Sequence, residues 1–202
     1  MTVPETDAEL LVRSRQGDES AFLLLYRRLE SPLYRFALNM TGSPASAEDI
    51  TQEAFLALLR EDCGYQPERG TLSAYLFGIA RKLVLRHQDR NRPYVELELG
   101  DTEWQYPERA AGPDPMREIL EREALELLRR AVVSLPRRYR EVVVLCDLQE
   151  IDYAEAADLL GCPVGTVRSR LHRARALLLE KLQPRREPRP DPNTWNTARS
   201  LI

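Results

Sequence analysis

Within ten residues, from position 166 to 175, the chain sets Thr166, Arg168, Ser169, Arg170, His172, Arg173 and Arg175. Hydroxyls and helix N-terminal amides hold phosphate oxygens, and an arginine fork matches the acceptor pair on a guanine edge. The mixture therefore points to a polyanion that also carries base edges, which is DNA. A basic face that merely meets water is the alternative, but such a face has no need of hydroxyls interleaved with guanidinium groups.

Two helices and a turn must position these side chains. The stretch DYAEAADLLGCPVGTVRSRLHRARALLLEKL runs from Asp152 to Leu182. Asp152 is placed to cap the first helix, and Glu155, three residues on, has the spacing to reach back in a capping box. Ala156, Ala157, Leu159 and Leu160 supply its packing face. Gly161 suits a left-handed C′ position and Pro163 cannot continue the helix, so the chain must turn. The second helix carries Val164, Val167, Leu171, Ala174 and Leu178 as one apolar stripe, with the cations and hydroxyls on its other side. Small residues, a glycine turn and a second helix with cations near its start are the requirements of a helix-turn-helix DNA reader.

The segment GCPVGTVRSRLHRAR resembles the recognition helix of region 4 in the extracytoplasmic-function sigma factors, the small promoter-specificity subunits of bacterial RNA polymerase. The resemblance implies a second, N-terminal module upstream with motifs of its own.

Composition is compatible with that. The 202 residues allow two small helical domains, each burying a modest core. Charged residues make up 30% and aromatics 7%, as in a soluble, cytoplasmic, helix-rich protein. A formal charge of −3 argues against nonspecific coating of nucleic acid, so DNA binding has to come from local patches. No signal-peptide pattern and no apolar run near membrane length occurs, which predicts neither export nor a membrane span. Cys63, Cys146 and Cys162 form no C-x-x-C pair and only two histidines accompany them, so reduced, partly buried thiols are expected and no metal. There is no Gly-rich phosphate loop, nucleophile elbow or H-E-x-x-H, and no carboxylate pair stands out. The expectation is a protein that is not an enzyme and uses no cofactor.

In chain order, Thr6 and Glu9 offer a capping box before Leu10, Leu11 and Val12. Gly17 interrupts, and a helix restarts at Asp18 or Glu19 with Ala21, Phe22, Leu25, Tyr26 and Leu29 on one face. Ser31-Pro32 predicts a fresh start, N-cap then N1, for a short helix ending at Gly42, and Ser43-Pro44 repeats that signal. The helix that follows buries Ile50, Ala54, Phe55 and Leu58 and exposes Glu48, Asp49, Gln52 and Glu53. Acids in its first turns suit the helix dipole. AEDITQEAFLALL also resembles sigma region 2.2, which docks on a coiled coil of the polymerase β′ subunit. The resemblance assigns Asp49, Gln52 and Glu53 to polymerase docking.

DCGYQPERG is turn-rich. Thr71 then caps a helix whose stripe is Leu72, Tyr75, Leu76, Ile79, Ala80 and Leu83. Its second half bears Arg81, Lys82, Arg86, His87 and Arg90, with Arg92 just beyond, more basicity than the helix dipole needs. GTLSAYLFGIARK resembles sigma regions 2.3 and 2.4, which melt and read the −10 element. The implied −10 residues are Tyr65, Gln66 and Arg69 in the loop, with Glu68 beside them, and Arg81, Lys82 and Arg86 on the helix. Tyr65 could stack on an extruded base. Lys82 stands where relatives often carry an asparagine, and a point charge suits phosphate better than a base edge. Gly78 stands where an arginine is common.

Residues 93–116 are rich in proline, glycine and acids, with net charge −5. A solvated, self-repelling tether is one reading. The other is a polyanion mimic that threads polymerase channels or lies over the basic helices of the free protein. Asp114-Pro115 starts a helix whose expected buried face is Ile119, Leu120, Ala124, Leu127, Leu128 and Val132. Arg140 to Leu148 forms another, with Val143, Val144 and Leu148 inward, since VVVL finds no partner strands nearby. LPRRYREVVVL resembles region 4.1, whose four-helix unit also docks on the polymerase β flap. The Pro-rich tail after Leu182 predicts disorder, with Trp195 and Leu201 as conceivable anchors.

The resemblance covers about residues 7–92 and 119–182. The predicted architecture is all-α, two small helical domains joined by a flexible acidic linker. Region 2 spans 7–92, the linker 93–116, region 4 spans 117–182, and the tail 183–202. The implied function is binding of core RNA polymerase and direction to −10 and −35 promoter DNA, under control of an anti-sigma factor. In region 4, Arg168, Ser169, His172 and Arg173 would face −35 bases, and Thr166, Arg170 and Arg175 phosphates. Two alternatives are a stand-alone helix-turn-helix regulator, which would bind a palindrome without polymerase, and a sigma-like module that sequesters an anti-sigma factor.

Overall fold

The computed structural model describes residues 5–60, 62–90 and 115–183, and every regular element in them is helical. The helices are α1 (Asp7–Arg15), α2 (Glu19–Thr41), α3 (Pro44–Leu59), α4 (Leu72–Arg90), α5 (Pro115–Val133), α6 (Arg137–Val142), α7 (Tyr153–Leu160) and α8 (Val164–Leu182). A 3₁₀ turn at Pro67–Arg69 precedes α4, and a π-helical stretch, Val143–Leu148, continues α6. Residues 93–114 of the expected acidic linker and 184–202 of the tail, with Trp195 and Leu201, lie outside the described residues, while Pro115 and Met116 already belong to α5.

Local signals set most helix ends. Thr6 and Glu9 close their reciprocal box, with Thr6 N donating to Glu9 Oε2 at 2.8 Å and Glu9 N to Thr6 Oγ1 at 3.3 Å. Asp18 caps α2 by accepting from the amides of Ser20 and Ala21, and Arg13 forks onto its other oxygen. The Ser20 hydroxyl, which donates to the same carboxylate at 2.6 Å, then the Arg13 fork and the Ala21 amide hold its carboxyl far below the usual range. Ser43 caps α3 with Pro44 at its first position.

At Pro32 the expectation fails. α2 runs unbroken for 23 residues with Pro32 inside it, so Ser31-Pro32 starts no new helix. A proline costs one backbone bond there, but Leu25, Leu29, Leu33, Phe36 and Met40 on either side are all buried along one face. Tertiary burial of both halves outweighs the lost bond.

α1 to α4 form one bundle around Phe36, Leu25, Leu58 and Leu76. Phe36 meets Phe77, and Tyr26 meets Phe55, at tilted ring separations of 5.3 and 4.7 Å. α5 to α8 form a second bundle around Val142, Val144, Leu145, Leu171 and Ala174. Val143 and Val144 are buried in a helix rather than a strand, as expected, and the helix widens to π form where Glu141 to Leu145 are buried in succession.

α5 corrects the sequence reading. Val132 is buried and Leu128 half-buried, but Ala124 is exposed, and Leu120 and Leu127 are 59% and 60% exposed. The amphipathic stripe is real, but among the described residues only the C-terminal part of α5 is covered.

The two bundles also pack on each other. A Cβ added at Gly42, which ends α2 at φ 75°, would lie 3.0 Å from a Val133 methyl of α5. Arg140 of α6 donates to the Met40 carbonyl of α2 at 2.7 Å, to the Leu135 carbonyl at 3.1 Å and to that of Val133. Burial lowers the pKa of its guanidinium.

Candidate nucleic-acid interface

α8 begins after a sharp turn. Asp152 caps α7 by accepting from Ala154 N and Glu155 N at 2.8 and 2.9 Å, and Gly161 takes φ 62°, ψ 41°. The left-handed residue lets Cys162 N reach the Ala157 carbonyl at 3.0 Å. Glu155 departs from expectation: it does not return to Asp152 but accepts from Thr71 of the other bundle.

Val167, Leu171, Ala174 and Leu178 of α8 are buried, which turns Arg168, Ser169, His172, Arg173 and Arg175 to water, with Thr166 and Arg170 partly covered. The seven sequence-selected residues are therefore brought together on one side of one helix. Several are held in place. Arg168 lies 6.0 Å from the Tyr153 ring centre. Ser169 Oγ donates to the Thr166 carbonyl at 3.0 Å. The Arg173 guanidinium sits at the Tyr139 hydroxyl and, with Arg138, lowers the pKa of that phenol. Arg175 forks onto Asp147 at 2.6 and 3.1 Å, a bidentate pair that raises its own pKa further. Arg175 is thus clamped within the protein, which the sequence pattern did not disclose.

A second group gathers where the loop before α4 meets that helix. Tyr65 stacks at a tilt on Tyr75, 5.4 Å between centres, and Gln66 and Arg69 are exposed. Lys82 and Arg86 face water on α4, and Arg86 donates to Glu53 of α3 at 2.8 Å. Arg81 differs from its neighbours. Its Nε donates to Glu141 Oε1 at 2.9 Å and Nη1 to the Leu159 carbonyl at 3.3 Å, with its side chain only 20% exposed. An open cation was expected at this position; the folded chain holds it against the other bundle.

Asp49, Gln52 and Glu53 share the exposed side of α3. Leu56 joins them at 66% exposure, one turn beyond Gln52. A leucine following polar residues at i−3, i−4 and i−7 was the available signal; Leu56 stands outside the expected buried set of Ile50, Ala54, Phe55 and Leu58 and received no role. Glu141 was missed as well, standing between the charged start of α6 and the apolar run Val142–Leu145.

Cys63, Cys146 and Cys162 are free and half-buried. Among the described residues, no cluster of His, Cys, Asp or Glu could hold a metal ion. None of the described helices is long and apolar enough to cross a membrane.

Residues 25–93 match the family described as Sigma-70 region 2, and residues 125–178 match Sigma-70, region 4. The ECF RNA polymerase sigma factor SigE of Mycolicibacterium smegmatis is 35% identical over 82% of this chain and 64% of its own length. The ECF RNA polymerase sigma-E factor of Haemophilus influenzae is 30% identical over 89% of this chain and 96% of its own. Among solved structures, CnrH in complex with the cytosolic domain of CnrY superposes at TM-score 0.61, with 26% identity over 88% of this chain and 97% of that one. The sigma factor RpoE in complex with the anti-sigma factor NepR from Bartonella quintana shares the fold, at TM-score 0.63 and 24% identity over 82% of this chain and 98% of that one.

Proposed function

The chain belongs to the ECF RNA polymerase sigma factor family, and from that premise we propose that it binds core RNA polymerase in the cytoplasm and directs it to −10 and −35 promoter elements. The single observation that carries the reading is the presence in one chain of two differently equipped surfaces. One is the exposed cation and hydroxyl side of α8 behind its glycine turn. The other is the polar side of α3 with Leu56 at its end.

In this reading region 4, residues 117–182, lays α8 in the major groove. Arg168, Ser169, His172 and Arg173 meet −35 base edges, and Thr166 and Arg170 meet phosphates. Arg175, paired with Asp147, meets phosphate only where that pair opens. Region 2, residues 7–92, docks on the polymerase β′ coiled coil through Asp49, Gln52, Glu53 and Leu56, and region 4 docks on the β flap. Tyr65, Gln66, Arg69, Lys82 and Arg86 hold the opened −10 strand, with Tyr65 as the stacking platform. Arg81 joins them only when Glu141 releases it. Residues 93–116 join the two regions. The work is binding and strand separation: stacking and phosphate contacts offset part of the unstacking cost. A partner of the anti-sigma class, as in the RpoE complex, holds the chain inactive until a signal arrives.

The test is run-off transcription with purified core polymerase on a genomic promoter library. Selective transcripts that share −10 and −35 elements are expected. Promoter choice unchanged by addition of the chain overturns the reading, and a footprint of palindromic sites by the chain alone favours a stand-alone regulator.

A further inference from the structure

The helix α7 presents two sides. Glu155 and Asp158 line the cleft opposite Tyr65, Arg69 and Thr71 of the other bundle. Tyr153 turns instead to α8, where its ring centre lies 6.0 Å from the Arg168 guanidinium and its hydroxyl stands beside Arg175. Its place is set locally. Asp152 accepts from Ala154 N and Glu155 N, so Tyr153 is the first residue of a capped turn, and Ala156 and Ala157 behind it are buried. Arg168 and Arg175 stand about two turns apart on one side of α8, both exposed.

The two arginines are restrained in different ways. The Asp147 carboxylate takes Nε and Nη2 of Arg175 and neutralises its charge. A ring against a guanidinium restrains it and leaves the charge uncancelled. That difference matters for reading DNA. An exposed arginine has several rotatable bonds, yet one setting of its guanidinium plane matches the paired acceptors on a guanine edge. Ordering such a side chain at the moment of binding costs affinity, and ordering it beforehand removes that cost.

We propose that Tyr153 is a positioning residue for −35 recognition: its ring holds the Arg168 guanidinium in the plane from which it reads one base, and so sets specificity at that base. The inference rests on the assignment of α8 to the −35 element. Tyr153 itself meets neither base nor phosphate and acts through Arg168.

The test uses core polymerase loaded with the full-length chain, on a promoter selected in run-off transcription, with each −35 base pair varied singly. Arg168→Ala identifies the position that Arg168 reads. At that position alone, Tyr153→Leu should lower the preference for the favoured base about 2- to 12-fold, the cost of ordering one long side chain. Tyr153→Phe keeps the ring and should keep the preference. Added to Arg168→Ala, Tyr153→Leu should cost nothing further. The slope of log affinity against log salt should be the same for every Tyr153 variant, since no phosphate contact is lost. A preference kept in Tyr153→Leu, or lost equally at all positions, overturns the proposal. So does a slope shallower by about 0.9, which makes Tyr153 a phosphate contact. The free chain gives a reading without DNA: the Arg168 Nε–H resonance should move in Tyr153→Leu and hold its place in Tyr153→Phe. A resonance unmoved by Tyr153→Leu overturns the proposal as well. A chain that selects no promoter fails the assignment to −35 DNA itself, whereas one that selects promoters alike with and without the ring fails only the role given to Tyr153.

Discussion

Arg173 shows how much of the interface a residue-by-residue reading can recover. Its exposure and helical phase follow from the apolar stripe of α8, and both are as the spacing predicts. Arg173→Ala should lower transcription from the cognate promoter by about 5- to 150-fold, the value of one bidentate guanine contact at roughly 1–3 kcal/mol. Core-polymerase binding, measured by pull-down, should be unchanged. Asp49→Arg should do the reverse, weakening the pull-down while duplex −35 binding persists. What the spacing could not disclose is partnership across the fold. Asp147 for Arg175 and Glu141 for Arg81 stand 28 and 60 residues away, and no local periodicity encodes contacts of that range. Cys146 makes a titration test. Burial first, and Asp147 second, push its thiol up to about 11. The folded state thus favours the protonated form; the stability this gives is present below the unfolded thiol's pKa and is lost as pH rises through about 11. With Cys63 and Cys162 replaced by serine, iodoacetamide at pH 8 should label Cys146 much more slowly in the folded than in the urea-unfolded chain.

At the scale of elements, caps were readable because they depend on neighbours within four residues. Thr6, Ser43, Thr71 and Asp152 all cap as their types predict. Pro32 was misread because its start signal is local while the burial that overrides it comes from other helices packed along α2. Replacing it should expose the difference. Pro32→Ala restores a backbone donor inside α2 and should raise stability by about 1–3 kcal/mol in urea denaturation. Gly161→Ala acts in the opposite sense. Its φ of 62° is left-handed, so the substitution should cost about 1–2 kcal/mol and loosen the angle between α7 and α8. The α5 leucines were misassigned for a related reason: an apolar stripe shows which side of a helix avoids water, not whether this chain supplies the cover.

For the whole molecule, the sequence divides cleanly into two motif-bearing modules, yet the folded chain joins them through one continuous set of buried side chains. Arg140 is a peg in that joint, with its guanidinium spent on the carbonyls of Met40, Val133 and Leu135. Arg140→Met keeps most of the stem and removes the donors. It should lower unfolding free energy by roughly 1.5–3 kcal/mol, the range for hydrogen bonds to a charged group, and broaden the thermal transition as the modules begin to melt separately.

The cleft between Tyr65 and α7 has a further bearing on life in the cell. Replication forks, repair gaps and R-loops present unpaired nucleotides far from any gene start. With Glu155 and Asp158 of α7 lining the same cleft, a stray unpaired strand would meet carboxylates there, which would leave the chain's copies available for assembly rather than scattered along the chromosome.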